Sequence, residues 1–506
     1  MSDSYIKEAE ILIENVGKSG RYQIYSSIFM VGYSLVCFYS VTLVPLQKIR
    51  PEAECIQKNQ IPKKYETCST ENYCDPNYEK RIISSENYMK NWYSEFGIDC
   101  DTESSFDFLI SCVFFADLLT MIFLSSLPDI FGRKKILLIQ TYGLISVLLI
   151  SFFISGIKIM TLIWFFYEIF NYIFYLFYVY SSEIMSQKYF SFVCSLINIA
   201  FPVTGILNTI LFYNFRDWRI NHVIITFIAI TCGILFKLIA VESPKYSVHK
   251  LDTQTLVISL KKIASINGTL NSCEKDLDAF LKKFSHLENK IVRYSVSDEE
   301  ANASLFQILK NDKNMLKHFL IVTLAFVTVH LIFFGVLLNI EKFDNNVILI
   351  SIILYSSEII GELSSGYLAQ KYGRIKVLTI SFYLCGISFF IFEFLTQIFY
   401  LKLIFCFLGN LGISSCFNVI IIYISEIFDV KIKSVACSYS RIPGKLSVMI
   451  SPYLMSYLTY PFILLGILSI LTGYLMNECR ETLVIENKNI KPRANSLKDY
   501  LMNENS

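Results

Sequence analysis

Apolar runs long enough to cross a bilayer recur twelve times along this chain, and that recurrence fixes what it can fold into. A hydrocarbon core of ~30 Å takes about 20 residues of α-helix. The runs cover residues 22–46, 105–127, 136–156, 159–181, 189–212, 221–241, 317–340, 346–369, 376–397, 399–424, 435–457 and 459–477. In lipid, backbone N–H and C=O groups have no water to pair with, so runs of this length are expected as helices. Composition agrees: 54% of the 506 residues are hydrophobic and 17% are charged, where a soluble domain carries roughly 25% charge. A net charge of +2 gives no reason to expect a nucleic-acid partner. The polar first 20 residues lack the central apolar run of a cleavable signal peptide.

Two hydrophilic segments, 47–104 and 242–316, interrupt the series, and the second divides it into two sets of six. The expected organisation is an N-terminal stretch 1–21, a first six-helix bundle 22–241, an inter-bundle segment 242–316, a second bundle 317–477 and a tail 478–506. Lysine and arginine in short loops set orientation. Even-numbered loops hold Arg133, Lys134, Lys135, Lys188, Lys371, Arg374, Lys376, Lys431 and Lys433, whereas odd-numbered short loops hold Lys158, Arg216, Arg219 and Lys342. This bias places both termini and the 242–316 segment in the cytoplasm and the 47–104 segment outside. Four of the 14 cysteines, Cys55, Cys68, Cys74 and Cys100, lie in that outer segment. An even number in an oxidising compartment is expected to form two disulfides, with three pairings open. The outer segment has no histidine, so no metal site is expected there.

The two sets of six repeat one another in their motifs. Pro128-Asp129-Ile130-Phe131-Gly132-Arg133 follows the second run, and Ala369-Gln370-Lys371-Tyr372-Gly373-Arg374 follows the eighth. Tyr180-Ser181-Ser182-Glu183 after the fourth run matches Tyr423-Ile424-Ser425-Glu426 after the tenth, with Lys433 seven residues beyond Glu426. Glu242-Ser243-Pro244-Lys245 closes the first half, and Arg480-Glu481-Thr482-Leu483 closes the second.

This triple repeat resembles the major facilitator superfamily. The resemblance implies an all-α polytopic membrane protein of twelve transmembrane helices in two pseudo-symmetric six-helix bundles, working by alternating access. It further implies that Asp129, Gly132, Arg133, Glu183, Glu242, Gln370, Gly373, Arg374, Glu426 and Lys433 form cytoplasmic gating clusters that hold the outward-open state together and break on switching. Within the superfamily the chain resembles the organic cation/anion transporter family. The residues that carry this are Gly20-Arg21-Tyr22-Gln23, the long cysteine-bearing outer segment with its acidic end Asp99-Cys100-Asp101, and His330-Leu331-Ile332-Phe333-Phe334-Gly335. Ser414-Ser415-Cys416-Phe417-Asn418 and the Lys445-to-Ser451-Pro452 stretch complete the set. The pattern departs from the family at Ser125, where glycine is expected, at Gln370, which replaces an acid, at Phe190, which replaces a base, and in the absence of arginine from the fourth run.

An ionisable residue inside a membrane is costly, so it marks a candidate for function. Candidates for the substrate path are Asp117, His330, Glu358, Glu362, Arg441 and Lys445, with Phe333, Phe334 and Phe417 as aromatic lining. Glu358 and Glu362 share a helix face, as do Arg441 and Lys445. By resemblance, Lys445 stands at a position that is basic in the family's anion transporters, and Glu358 at an acidic one, a combination that a zwitterion would satisfy. Glu362 or the substrate is the expected partner of Lys445.

The expected function is secondary transport of small organic ions, with a sugar porter or a transport-dead receptor on the same scaffold as alternatives. A catalytic role is not expected, since His330 has no convincing partner for acid–base chemistry. No cofactor is expected, because no Gly-rich phosphate loop is present, and coupling to a proton or sodium gradient stays open. The expected partners are a small organic ion and the lipid bilayer, and the plasma membrane is the expected location, with an endomembrane as the alternative.

Overall fold

The computed structural model describes residues 2–17, 19–50, 53–58, 66–68, 77–82, 90–98, 104–124, 127–284, 307, 309–340, 347–395, 399–427 and 433–482. Each of the twelve apolar runs holds a helix. The first half comprises α1 (Arg21–Gln47), α2 (Ser104–Phe123), α3 (Arg133–Ser151), α4 (Ile157–Ile184), α5 (Gln187–Phe215) and α6 (Trp218–Ile239). The second comprises α7 (Lys313–Leu337), α8 (Val347–Tyr372), α9 (Arg374–Phe394), α10 (Phe399–Ile427), α11 (Lys433–Tyr457) and α12 (Pro461–Met476). By length and composition, ten helices among the described residues can cross a membrane, one from each of the first ten runs. The other two differ for separate reasons: α11 carries Arg441 and Lys445 in its middle, and α12 is apolar but has 16 residues.

The described parts of the 47–104 segment lie at one end of the bundle, here termed the loop side. Strands β1 (Ala53–Gln57), β2 (Glu66–Thr67) and β3 (Tyr78–Ile82) form an antiparallel sheet of order β2-β1-β3. Cys55 and Cys68 are joined by a disulfide across it. Cys74 and Cys100 fall outside the described residues. The end of the segment is stitched to the first half by backbone bonds from Lys90 N to Arg216 O (2.8 Å) and from Trp218 N to Lys90 O (3.1 Å). There the chain's 3 tryptophans gather. The Trp92 ring lies 5.3 Å from Trp164 and 5.8 Å from Trp218, and all three are buried. Trp218 Nε1 donates to Glu95 (2.7 Å), which also pairs with Arg219.

At the opposite end, the terminal side, helices Pro244–His249, Thr253–Asn267 and Leu270–Phe284 lie beneath the first half. The amphipathic pattern around Leu277–Phe284 finds its partner in a helix that the polar N-terminal stretch did not announce, Ser2–Val16. Tyr5 packs 5.3 Å from both Phe280 and Phe284, and Glu8 accepts from Lys283 at 2.8 Å. Asn267 Oδ1 accepts from the Tyr22 backbone N–H at 2.9 Å, tying this cap to the start of α1.

Removing a fully buried indole costs about 3–5 kcal/mol through lost contacts and the residual cavity. Trp92→Ala is therefore expected to lower the thermal unfolding midpoint in detergent by several degrees. Because the tryptophans sit in one cluster, the unfolding red shift of their emission should follow that same earlier midpoint. A variant with an unchanged midpoint would contradict the packing described.

Candidate functional site

Two turns on the terminal side carry the same construction. Gly132 (φ 96°) and Gly373 (φ 102°) precede α3 and α9. Both adopt the left-handed region that side chains disfavour. A carboxylate from the end of the same half fills the space a Cβ would need: Glu242 at Gly132 and Glu481 at Gly373. Glu242 Oε1 accepts from the backbone N–H of Arg133 (2.8 Å), Lys134 (3.2 Å) and Ser243 (3.0 Å). Glu481 accepts from Arg374 (2.8 Å), Ile375 (3.0 Å) and Thr482 (3.0 Å). Each carboxylate thus satisfies the orphan donors at a helix N-terminus and meets its positive dipole end. Burial nonetheless pushes the Glu242 carboxyl above the usual carboxylate range, against the lowering effect of those N–H donors.

The arginines complete the repeat. Arg133 forms a fork with Glu183 (3.0 Å) and Arg374 one with Glu426 (2.8 Å). Their remaining nitrogens donate to Pro128 O and Ala369 O, both at 3.1 Å. Asp129 adds a pair to Arg133 at 2.7 Å but is 68% exposed, whereas Gln370, its counterpart beside Arg374, is exposed and uncharged. Tyr180 and Tyr423 match as well, donating to Val241 O (2.9 Å) and Arg480 O (3.0 Å). The side chain of Lys433 lies outside the described ones. Each cluster joins helices of a single half. Among the described residues they brace each half from within, their carboxylate partners coming from the fourth helix of the same half and from the segment just after its last helix. Glu481, Tyr180 and Tyr423 do the same work as the residues singled out from the sequence. Their signal was present in the paired motifs, Tyr180 and Tyr423 after the fourth and tenth runs and Glu481 at the end of the second half.

The halves meet through α2 against α11 and α5 against α8, two equivalent pairings under the internal repeat. Phe114 lies 4.9 Å from Phe334, Phe201 lies 5.6 Å from Phe333 and 6.3 Å from Tyr355, and Ser111 Oγ donates to Met449 O at 3.0 Å. Judged by position along their helices, these contacts all lie between the middle of the bundle and the loop side, so the halves are closed there.

Lys445 forms an ion pair with Asp117, across the halves, with side-chain exposures of 11% and 13%. Among side chains its partner is therefore Asp117, not the expected Glu362. α2 is the helix packed on α11, while Glu362 on α8 faces α10, where its backbone O accepts from Asn418 Nδ2 at 3.1 Å. Tyr175 donates to Asp117 Oδ1 at 3.5 Å and lies within reach of Lys445 too. On the same helix, Glu168 accepts from Ser40 (2.6 Å) and Asn171 (2.9 Å). Arg441 stacks on the Phe326 ring at 5.5 Å.

His330, Phe333, Phe334 and Phe417 form one aromatic cluster, His330 lying 5.5 Å from Phe417 and Phe333 5.1 Å from Phe334. His330 Nδ1 is 2.8 Å from Phe326 O. Glu358 Oε1 and Glu362 Oε2 are buried without a hydrogen-bond partner among the described residues. Tyr175 and Tyr178 were not singled out in the sequence. Their three-residue spacing on α4 puts them on one face, but in so aromatic a chain that spacing does not stand out. No cluster of metal-ligating side chains occurs among the described residues.

A sequence model described as "Major Facilitator Superfamily" matches residues 92–361 and 345–482. The chain belongs to that superfamily. Among curated proteins it is 22% identical over 384 residues to mouse organic cation/carnitine transporter 2, covering 72% of this chain and 65% of that protein. The matched part thus spans about two thirds of that relative's length. It is also 21% identical to organic cation transporter 1 of Caenorhabditis elegans, over 96% of this chain and 88% of that protein. The inward open conformation of the xylose transporter XylE from E. coli superposes with a TM-score of 0.59 at 13% identity, covering 92% of this chain and 97% of that one. This likeness is one of fold.

The paired turns generate a prediction about stability. A non-glycine residue in the left-handed region costs about 1–2 kcal/mol. Gly132→Ala and Gly373→Ala should exceed that, since the new methyl must also displace a carboxylate. Gly97, at φ 64° with nothing within 4 Å of its Cβ position, should show the strain alone. Unfolding midpoints of the three variants are expected to fall in that order, and an equal loss at Gly97 and Gly132 would contradict the capping role of Glu242.

Proposed function

We propose that the protein is a secondary transporter of small organic ions that works by alternating access, the two six-helix bundles rocking about a central path. The observation that carries this reading is the charged set at mid-membrane. On α8, Glu358 and Glu362 each have one buried oxygen without a partner among the described residues, Arg441 lies over an aromatic ring, and an ion pair crosses the halves beside an aromatic cluster. Unpartnered charge at that depth is expensive for structure alone and suits an ionic ligand. Relatives described as organic cation and carnitine transporters support the same class. A sugar porter would call for neutral hydrogen-bonding side chains where this chain has acids, bases and phenyl rings.

On this reading the termini and the 244–284 helices face the cytoplasm, as the loop lysines and arginines indicate, and the 47–104 segment faces the exoplasm of the plasma membrane. Glu358 and Glu362 are the groups on which a cationic end of the substrate, or a coupling proton or sodium ion, would act. Arg441 and Lys445 are the groups for an anionic end.

Uptake into proteoliposomes tests this. A panel of cationic, anionic and zwitterionic compounds, measured with and without proton and sodium gradients, should include at least one accumulated ion. Xylose and glucose should not enter. Sugar flux without ion flux would favour the porter, and specific binding without any flux would favour a receptor.

The bracing clusters give a second expectation. Arg133 is buried in its fork with Glu183, whereas Asp129 is exposed, and an exposed pair is worth about 0–1 kcal/mol. At equal surface expression, Arg133→Ala should therefore lower turnover strongly and Asp129→Ala only slightly, with the substrate KM little changed in both. Wild-type turnover in Arg133→Ala would count against a role for the cluster in the rocking motion.

A further inference from the structure

The ion pair between Asp117 and Lys445 is the only one among the described residues that joins the two halves. It is also the innermost rung of the closed interface. Moving along α2 and α11 toward the loop side, the next contacts are Phe114 with Phe334 and Ser111 with Met449. If the loop side opens, α2 and α11 part there and this pair must break.

The two partners then fare differently. Asp117 stays on the first half with Tyr175, which donates to it, and with Glu168, held by Ser40 and Asn171. Lys445 leaves with α11 and the neighbouring α7. On those helices it is accompanied by Arg441 one turn away, which lies over the Phe326 ring, and by His330, whose imidazole packs against Phe326 and Phe334. The carboxyls of Glu358 and Glu362 sit on α8, and neither bonds Lys445. A lysine one turn from a second cation, once separated from its carboxylate, is a favourable place for an anion.

We propose that Asp117 is a tethered competitor for the anion site at Lys445. With no ligand, its carboxylate occupies Lys445 and holds the loop side closed; when that side opens, a carboxylate of the transported ion takes its place. The two exclude each other, so an anionic ligand favours the loop-side-open arrangement and Asp117 sets how tightly that ligand is held. This rests on the transport reading for its physiological meaning, but the exclusion itself is a binding property and is measured separately.

The test uses purified full-length protein in detergent, with benzoate as the anionic probe and benzamide as its uncharged counterpart. Ser111→Cys with Met449→Cys, in a Cys112→Ala background, reports loop-side closure through cross-linking yield. Benzoate should lower the yield and benzamide should not. Asp117→Asn should lower the yield without any ligand and should bind benzoate about tenfold more tightly, a gain near 1.4 kcal/mol. Should the lone substitution prevent folding, the neutral pair Asp117→Asn with Lys445→Gln removes both buried charges. It should still show the low yield but no response to benzoate. A cross-linking yield in either variant equal to that of the parent overturns the lock. Benzoate affinity unchanged by Asp117→Asn, or no effect of benzoate on the parent, overturns the competition. Absence of flux for every ion in the uptake panel, with these binding results intact, would instead sink the transport reading and leave the competition standing.

Discussion

A charge in hydrocarbon has no water to fall back on, and the arrangement of this protein follows from how its few buried charges are partnered. Leaving one member of a buried pair alone costs about 3–5 kcal/mol, far more than the 0–1 kcal/mol of an exposed ion pair. Asp117 and Lys445 come from different halves, so their pairing is at once a local necessity and a long-range contact. It selects α2 as the neighbour of α11. The repeat makes α5 against α8 the equivalent junction, and there aromatic contacts such as Phe201 with Tyr355 do the holding. One junction is therefore charged and the other apolar, although the backbone relation between them is the same.

Within each half the opposite strategy operates. Glycines at positive φ admit Glu242 and Glu481 onto the first N–H groups of α3 and α9, and arginine forks then fasten α4 and α10 to the same turns. Three elements distant in sequence converge on one carboxylate and one guanidinium. Several charge-assisted bonds at roughly 1.5–3 kcal/mol each make such a node stiff. Since the node is built wholly within one half, a half can move as a body without breaking it. The Ser2–Val16 helix and the 253–284 helices extend that body on the first half alone, through Asn267 and Tyr22.

The twelve spans were legible because hydropathy over about 20 residues is a strong signal, and the Gly-Arg turns because they occur twice. The partner of Lys445 was not. Asp117, Glu168, Glu358 and Glu362 were all available acids, and nothing in a linear pattern says which helix of one half faces α11 of the other. Glu362 looked suitable because a buried acid and a buried base commonly neutralise each other, yet α11 packs against α2, and Asp117 takes that place. The Ser2–Val16 helix escaped notice because its apolar face is covered by residues far away in sequence, Phe280 and Phe284 among them, in a separate segment. Disulfide pairing was open in the sequence, since spacing alone allows three arrangements. Strands β1 and β2 bring Cys55 and Cys68 together, and no periodicity in so short a segment announces them.

Stiff halves and a single charged contact between them place the resistance to rocking in the membrane's middle. The aromatic contacts at α5–α8 are non-directional and can slide, each worth about 0.5–1.5 kcal/mol beyond its buried area. An ion pair cannot slide in the same way: it is made or it is broken, and once broken each charge needs a replacement. A ligand that supplies the replacement binds the opened arrangement better than the closed one, and only such a difference in affinity can shift a conformational equilibrium. On the proposed competition, then, the residue that recognises the ligand's charge and the residue that closes the path are the two ends of one bond.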